Sequence, residues 1–201
     1  MSIEIKKSEK PVIYEDAKKM MEERLLNVDL NKSNELIWTL EHPDIYTAGT
    51  SYNEDDILDK SIKILETNRG GKITYHGPGQ LVIYFLLNIK KRNLGPKKFV
   101  KQLENLVQKT LLDFQIQSNT IEGSPGVYVD SKKIASIGLR FSRGYSYHGI
   151  SINVDMDLDP FKNINPCGYE GLQVTQIKDL DSNITLEKVK SAIEANIQQI
   201  F

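Results

Sequence analysis

Apolar residues change their period several times along this chain, and each change marks an element. In residues 11 to about 30, Ile13, Ala17, Met20, Met21 and Leu25 recur at helical spacing among lysines and glutamates, which predicts a first helix ending near Leu30. Glu35–Leu40 reads as a short strand, stopped by His42-Pro43 because a residue before proline is pushed out of helical geometry. Residues 46–59, with Gly49 and several Asn, Asp and Ser, read as a loop. In residues 79–89, Leu81, Ile83, Phe85 and Leu87 fall on one face and Val82, Tyr84 and Leu86 on the other. Both faces are apolar, so this is a strand buried at the centre of a sheet. Gly95-Pro96 opens a second helix, with proline at a tolerated first-turn position. Phe99, Leu103, Leu106, Val107, Leu111 and Phe114 give that helix a core stripe.

Strands follow. Residues 126–129 lead into a turn at Asp130-Ser131-Lys132, residues 133–141 return, and a turn at Arg143-Gly144 leads into residues 145–154. Two short connections rich in Gly, Asp and Ser predict antiparallel pairing. From Thr185 onward, Leu186, Val189, Ile193 and Ile197 mark a last amphipathic helix. Strands and helices without regular alternation predict an α+β fold, a mixed, mainly antiparallel sheet with flanking helices. The length of 201 residues, with no linker or low-complexity tract, predicts one domain over residues 1–201.

Composition narrows the function. The net charge of −1 argues against a general nucleic-acid binder, which needs a basic excess. One cysteine excludes an internal disulfide and a multi-cysteine zinc site. His42, His76 and His148 form no His-Glu-x-x-His spacing, so no metal is expected. The start, Met1-Ser2-Ile3-Glu4-Ile5-Lys6-Lys7, has no apolar signal core, and no run approaches a bilayer span. The expectation is a cytoplasmic protein with no membrane partner, monomeric by default. The basic stretch Lys90-Lys91-Arg92, Lys97-Lys98 and Lys101 is either a solvated face or a contact for an acidic protein.

The candidate chemistry lies in four places. The single cysteine occurs in Asn165-Pro166-Cys167-Gly168, between two breakers of regular structure, where a turn can present a thiol. Arg69-Gly70-Gly71-Lys72-Ile73-Thr74-Tyr75-His76-Gly77-Pro78-Gly79-Gln80 is neither a Walker A loop nor a dinucleotide fingerprint. It is either two tight turns flanking a short strand or a ligand-binding loop. Tyr-His-Gly occurs at 75–77 and again at 147–149, as strand ends or as two elements lining one pocket. Lys133 opens the apolar run Ile134-Ala135-Ser136-Ile137-Gly138. It is either a solvated strand start or, held against a cleft, a lysine that loses its proton readily and serves as a base.

These blocks resemble the lipoyl (octanoyl) transferases, the lipoate-protein ligase B family. The glycine-rich block resembles the family signature. The later blocks agree in order and spacing: Gly126-Val127-Tyr128-Val129 with 133–138, Tyr147-His148-Gly149-Ile150-Ser151-Ile152-Asn153-Val154, and Asn165-Pro166-Cys167-Gly168. The resemblance implies the fold of biotin and lipoate ligases. It implies transfer of an octanoyl group from acyl carrier protein to a lysine of lipoyl domains. Those domains are carried by 2-oxoacid dehydrogenase complexes and the glycine cleavage H protein. It further implies Cys167 as acyl-thioester nucleophile and Lys133 as the acid/base that lowers the thiol's pKa. Arg69, Gly70, Gly71, Lys72, Ile73, Thr74, Tyr75 and His76 would line the acyl pocket with Ser136, Ile137, Gly138, Gly149, Ile150 and Ser151. Neither ATP nor a metal is implied. One departure stands out: the family usually has Tyr-Pro where this chain has Tyr84-Phe85, which predicts a local change in strand pairing. Two other readings compete, an ATP-dependent ligase on the same fold and a domain that only binds lipoyl domains or acyl carriers. The Tyr-His-Gly-Pro-Gly-Gln block and the Asn-Pro-Cys-Gly turn argue against the first, which pyrophosphate release would favour, and the presence of both Lys133 and Cys167 argues against the second.

Overall fold

The computed structural model describes residues 3–29 and 34–201. The expected helix end at Leu30 and the first two residues of the chain lie outside that range. In chain order the elements are β1 (Ile3–Lys7), α1 (Tyr14–Asp29), β2 (Glu35–Leu40), β3 (Ile45–Ala48), β4 (Ile64–Glu66), β5 (Ile73–His76) and β6 (Gln80–Leu86). Then come α2 (Pro96–Leu112), β7 (Asn119–Ile121), β8 (Ser124–Val129), β9 (Lys132–Ser142), β10 (Tyr145–Asn153), α3 (Ile177–Leu180) and α4 (Leu186–Ile200).

Among the described residues, seven strands form one sheet in the order β1-β2-β6-β10-β9-β8-β7. Only the β1–β2 pair is parallel. β6 lies inside the sheet between β2 and β10, and its two apolar faces serve two cores. Leu81, Ile83, Phe85 and Leu87 pack with α2 and α4. Val82, Tyr84 and Leu86 pack with Ala17 and Met21 of α1. The Tyr84-Phe85 departure leaves the ladder regular: Phe85 pairs with Ile37 of β2, and its ring meets Phe99 and Phe201. A proline there would remove the N–H that a ladder needs.

The two hairpins close through two-residue turns. Asp130 and Ser131 join β8 to β9 at φ 48° and 64°, and Arg143 and Gly144 join β9 to β10 at φ 52° and 85°. Positive φ at both central positions matches the twist of the flanking strands.

Two expectations need correction. Residues 46–59 are not simply a loop: they contain most of β3 and a 3-10 turn at Glu54–Asp56. β3 is the centre of a second sheet, β4-β3-β5. It holds only four residues, too few for alternation to show against its polar Thr47. Ile13 precedes α1 and is 56% exposed, so it is no core residue. Helical hydrogen bonding begins when the Ala17 N–H donates to the Ile13 carbonyl, which sends Tyr14 inward instead.

Candidate active site

A cavity of about 340 Å³ lies between the two sheets, lined by the glycine-rich block, β6, β9, β10 and the cysteine turn. Its wall is mostly hydrocarbon, from Ile73, Val82, Ile137, Leu139, Phe141 and Ile150. Gly123, Pro125, Lys72 and Tyr169 stand at the exposed mouth, while Tyr14, Tyr84, His76 and His148 are buried.

Lys133 and Cys167 meet at that mouth, with Lys133 Nζ 3.0 Å from Cys167 Sγ. Strand parity alone would put Lys133 on the face opposite Ser136 and Gly138. A register shift between β8 and β9 at Val127/Tyr128 falls beside Lys133. Such a bulge re-aims a side chain. The lysine stem then runs over Gly126, where an added Cβ would stand 2.5 Å from Lys133 Cε. Gly126 has φ 139°, so glycine is required on both counts. Burial works against the Lys133 charge, yet the facing Cys167 outweighs it and raises the lysine pKa above its ordinary value. This reverses the expectation of a lysine that loses its proton readily: Lys133 holds its charge against burial.

Cys167 sits on a tight turn with φ 58° and ψ 14°. The Gly168 N–H donates to the Asn165 carbonyl at 2.8 Å, and the Tyr169 N–H to the Pro166 carbonyl at 3.2 Å. Such a left-handed conformation in a residue with a Cβ is a local strain that surrounding bonds must hold. They do so on both sides. Asn165 N–H donates to the Asp56 carbonyl at 2.7 Å before the turn. After it, the segment at Gln173–Thr175 pairs with Lys133 itself, through Lys133 N–H to Gln173 O and Thr175 N–H to Lys133 O, both 2.9 Å. Lys72 lies against Gly168, and its Nζ is 3.8 Å from an Asp56 carboxylate oxygen.

The glycine-rich block is both things the sequence left open: turns flanking the short strand β5, and a pocket wall. The segment at 49–51 cradles it, with the N–H groups of Gly49, Thr50 and Ser51 donating to the carbonyls of Lys72, Arg69 and Gly71. Arg69 is buried, and its guanidinium donates to Thr47 O at 2.7 Å and to Gly70 O at 3.1 Å. Of the expected pocket residues, Arg69, Gly70, Gly71, Lys72, Ile73, Thr74, His76, Ser136, Ile137, Gly138, Gly149, Ile150 and Ser151 all line the cavity. Tyr75 does not. It points to the other face of β5, where its hydroxyl donates to Asp44 at 2.5 Å and its ring packs on Tyr46 and Phe161. Of the basic stretch, Arg92 is engaged by Glu35 through two contacts of 2.8 and 2.6 Å.

The buried end holds His76 and His148, and His42 packs behind it against Tyr14, His76 and Tyr84. His42 Nδ1–H donates to the Val12 carbonyl at 2.6 Å, so its Nε2 accepts from the Tyr84 hydroxyl at 2.7 Å. His76 Nδ1–H donates to Gln80 Oε1 at 2.6 Å. Gln80 continues to Asn153 Oδ1 at 3.0 Å, and Asn153 to the Thr175 carbonyl at 3.0 Å, beside Lys133. Burial pushes His42 down to about 4, and burial with neighbouring positive charge pushes His76 and His148 down to about 3. All three are neutral at pH 7. Tyr14 and Tyr84 complete this cluster and were missed from sequence. No group of three metal-ligating side chains able to hold an ion occurs among the described residues.

Comparison with known proteins identifies the family of the chain. The family model described as the lipoyl protein ligase A/B catalytic domain matches residues 14–198. An octanoyltransferase of Wigglesworthia glossinidia brevipalpis is 48% identical over 188 residues, 94% of this chain and 87% of that protein. An octanoyltransferase of Legionella pneumophila (strain Corby) is 49% identical over 162 residues, 80% of this chain and 81% of that one. Among solved structures, P. falciparum LipL1 in complex with lipoate superposes with a TM-score of 0.78 at 15% identity, covering 99% of this chain and 62% of the other. A lipoate-protein ligase A bound with ATP gives 0.76 at 12%, covering 100% and 85%. At these identities the structures speak for the fold alone, and they share it. The chain belongs to the lipoyl protein ligase A/B catalytic domain family.

Proposed function

We propose that this protein is an octanoyltransferase that carries the acyl group on Cys167. The observation behind the mechanism is the 3.0 Å contact between Lys133 Nζ and Cys167 Sγ at the mouth of a hydrocarbon-lined cavity. A thiolate is the reactive form of cysteine, and an ammonium at that distance favours it.

In the first half-reaction the Cys167 thiolate attacks the thioester carbonyl of octanoyl-acyl carrier protein. The tetrahedral intermediate collapses to octanoyl-Cys167, and the departing carrier thiol takes its proton from the Lys133 ammonium. In the second half-reaction the neutral amine of a lipoyl-domain lysine attacks octanoyl-Cys167. Lys133, now neutral, takes the proton that nitrogen loses as the amide forms. Cys167 leaves as thiolate, and the ammonium–thiolate pair is restored. Covalent catalysis thereby splits one transfer between two large proteins into two separate encounters. Thioester to amide is downhill, so the reading needs neither ATP nor a metal. The octanoyl chain lies along the apolar wall, where each buried methylene contributes about 0.8 kcal/mol.

The acceptors on this reading are lipoyl domains of 2-oxoacid dehydrogenase complexes and the glycine cleavage H protein, met in the cytoplasm. Residues 1–201 act as one catalytic domain. No described helix is long and apolar enough to cross a membrane. Intact-protein mass after mixing with octanoyl-acyl carrier protein tests the proposal. An octanoyl adduct that maps to Cys167 and disappears on adding a lipoyl domain is expected. Pyrophosphate release from ATP and free octanoate, with no adduct, would replace this reading with a ligase.

A further inference from the structure

Lys133 is 2% exposed, and an ammonium has three N–H donors to place. Cys167 Sγ meets one of them, at 3.0 Å. A second neighbour is Tyr128. Lys133 Nζ stands over its ring, 5.3 Å from the centroid, within the range at which a cation and an aromatic face attract. The ladder brings the two together. Tyr128 of β8 is the direct partner of Lys133 in β9, beside the register shift. Residues directly opposed across a ladder send their side chains to the same face. Val127 and Val129 pack into the core that holds α2 and α4, so Tyr128 between them faces the other way.

The Tyr128 side chain is fully buried, and its hydroxyl is held at both of its functions. Tyr128 Oη lies 3.1 Å from the Ser124 carbonyl oxygen, which can only accept, and 2.5 Å from Ser124 Oγ. Both contacts are satisfied when the Tyr128 O–H donates to the carbonyl and the Ser124 O–H donates to Tyr128 Oη. Tyr128 then has no proton to offer Lys133 and can only accept from it. The charge state agrees. Burial works against the lysine's charge, and Cys167 followed by Tyr128 more than offsets it. Ser124 lines the cavity between Gly123 and Pro125, whereas Tyr128 is not a lining residue.

We propose that Tyr128, held by Ser124, is a positioning residue for Lys133: it keeps the lysine nitrogen at Cys167 and goes on doing so once the sulfur is acylated. This rests on the reading of Lys133 and Cys167 as the reacting pair. In the acyl-enzyme the sulfur belongs to a thioester and is a weak acceptor, and Lys133, having given its proton to the carrier thiol, is neutral. One N–H donated to Tyr128 Oη leaves the lysine lone pair free for the proton of the incoming amine. Tyr128 therefore acts through Lys133 and matters most in the second half-reaction.

Two measurements on the full chain test this. The first needs no transfer. The chain has one cysteine, so alkylation by iodoacetamide followed across pH reports Cys167 alone. Tyr128→Phe keeps the ring and removes the accepting oxygen. It should slow alkylation at neutral pH about threefold and move the midpoint to higher pH. In a Lys133→Met background the same substitution should change nothing, because the residue it acts through is gone. Ser124→Ala, which frees the hydroxyl and leaves the ring, should act in the same direction more weakly. A lower melting temperature with an unchanged pH profile would mean packing alone and overturns the proposal, as does equal slowing with and without Lys133. The second measurement separates the half-reactions in single turnovers with octanoyl-acyl carrier protein and a lipoyl domain. Tyr128→Phe should slow discharge of octanoyl-Cys167 about tenfold and its formation about threefold; equal losses overturn the role in the acyl-enzyme. If no protein, wild type included, forms the adduct while the alkylation profiles diverge as described, the positioning role stands and octanoyl transfer falls. An adduct with coincident alkylation profiles gives the reverse.

Discussion

The mouth and the buried end of one cavity use opposite electrostatics. At the mouth Lys133 faces Cys167, Lys72 lies against Gly168, and burial has not stripped the charge from the lysine. At and behind the buried end three histidines and two tyrosines sit together and every imidazole is held neutral. Beside Cys167 the lysine keeps its charge, whereas at the buried end burial and the buried Arg69 guanidinium together hold the imidazoles neutral. One cavity can therefore polarise a thiol at one end and grip an uncharged chain toward the other.

Several changes would break or sharpen this contrast. Cys167→Ala removes the proposed nucleophile at the mouth. Transfer should fall about a thousandfold or more, with no octanoyl adduct by mass spectrometry; near-normal turnover would end the covalent mechanism. Lys133→Met should cost about a hundred- to ten-thousandfold in kcat, and alkylation of Cys167 by iodoacetamide at neutral pH should slow in step. Unchanged alkylation would mean that the lysine does not set the thiol's state. Gly126→Ala leaves both reacting groups in place but pushes a methyl into the lysine stem. A loss of about a hundredfold in kcat is expected from displacing Lys133, along with a lower melting temperature.

The two ends should also answer to opposite limbs of pH. The imidazoles are held below their ordinary 6.5. From there down to their folded values, the unfolded chain binds protons that the folded chain refuses. The stability they contribute is full above pH 6.5 and is lost as pH falls, by up to about 2 kcal/mol per histidine at pH 5. Lys133 runs the other way. Its raised pKa gives a contribution present below the ordinary lysine value and lost only as pH rises past it. Thermal melts should fall between pH 6.5 and 5 in the wild type, and a flat profile there would contradict the neutral cluster. The smallest effect is expected at Tyr75→Phe, on the outward face of β5. Losing the bond to Asp44 should cost about 1 kcal/mol of stability and change transfer by less than about twofold.

What could be read from the sequence followed from how local each signal is. The two apolar faces of β6, the breaker pairs Asp130-Ser131 and Arg143-Gly144, and Pro96 at the start of α2 act within a few residues of themselves. Each of those elements is where its pattern put it. Tyr14 was invisible because Ile13 beside it is the better hydrophobe, and the register of the helix start was set by hydrogen bonds that apolar spacing does not encode. Lys133 could not be aimed at Cys167 by alternation, since the bulge that turns it depends on β8 across the ladder. Only the family resemblance joined the two. Tyr75 marks the limit of that aid: a motif names a run of residues, and the strand then sends alternate members to opposite sides.

The pairing of Lys133 with the segment that follows the cysteine turn has a consequence for the life of the chain before it is an enzyme. Thirty-four residues separate lysine from thiol, and backbone bonds on either side of Val174 bring them together. Contacts of that sequence separation are paid for late, after loops have closed. On the proposed mechanism, a nascent or partly opened chain has not yet brought the lysine to the thiol. Thiol reactivity should then report completion of this part of the fold, and on the same proposal unfolded copies should not scavenge acyl groups.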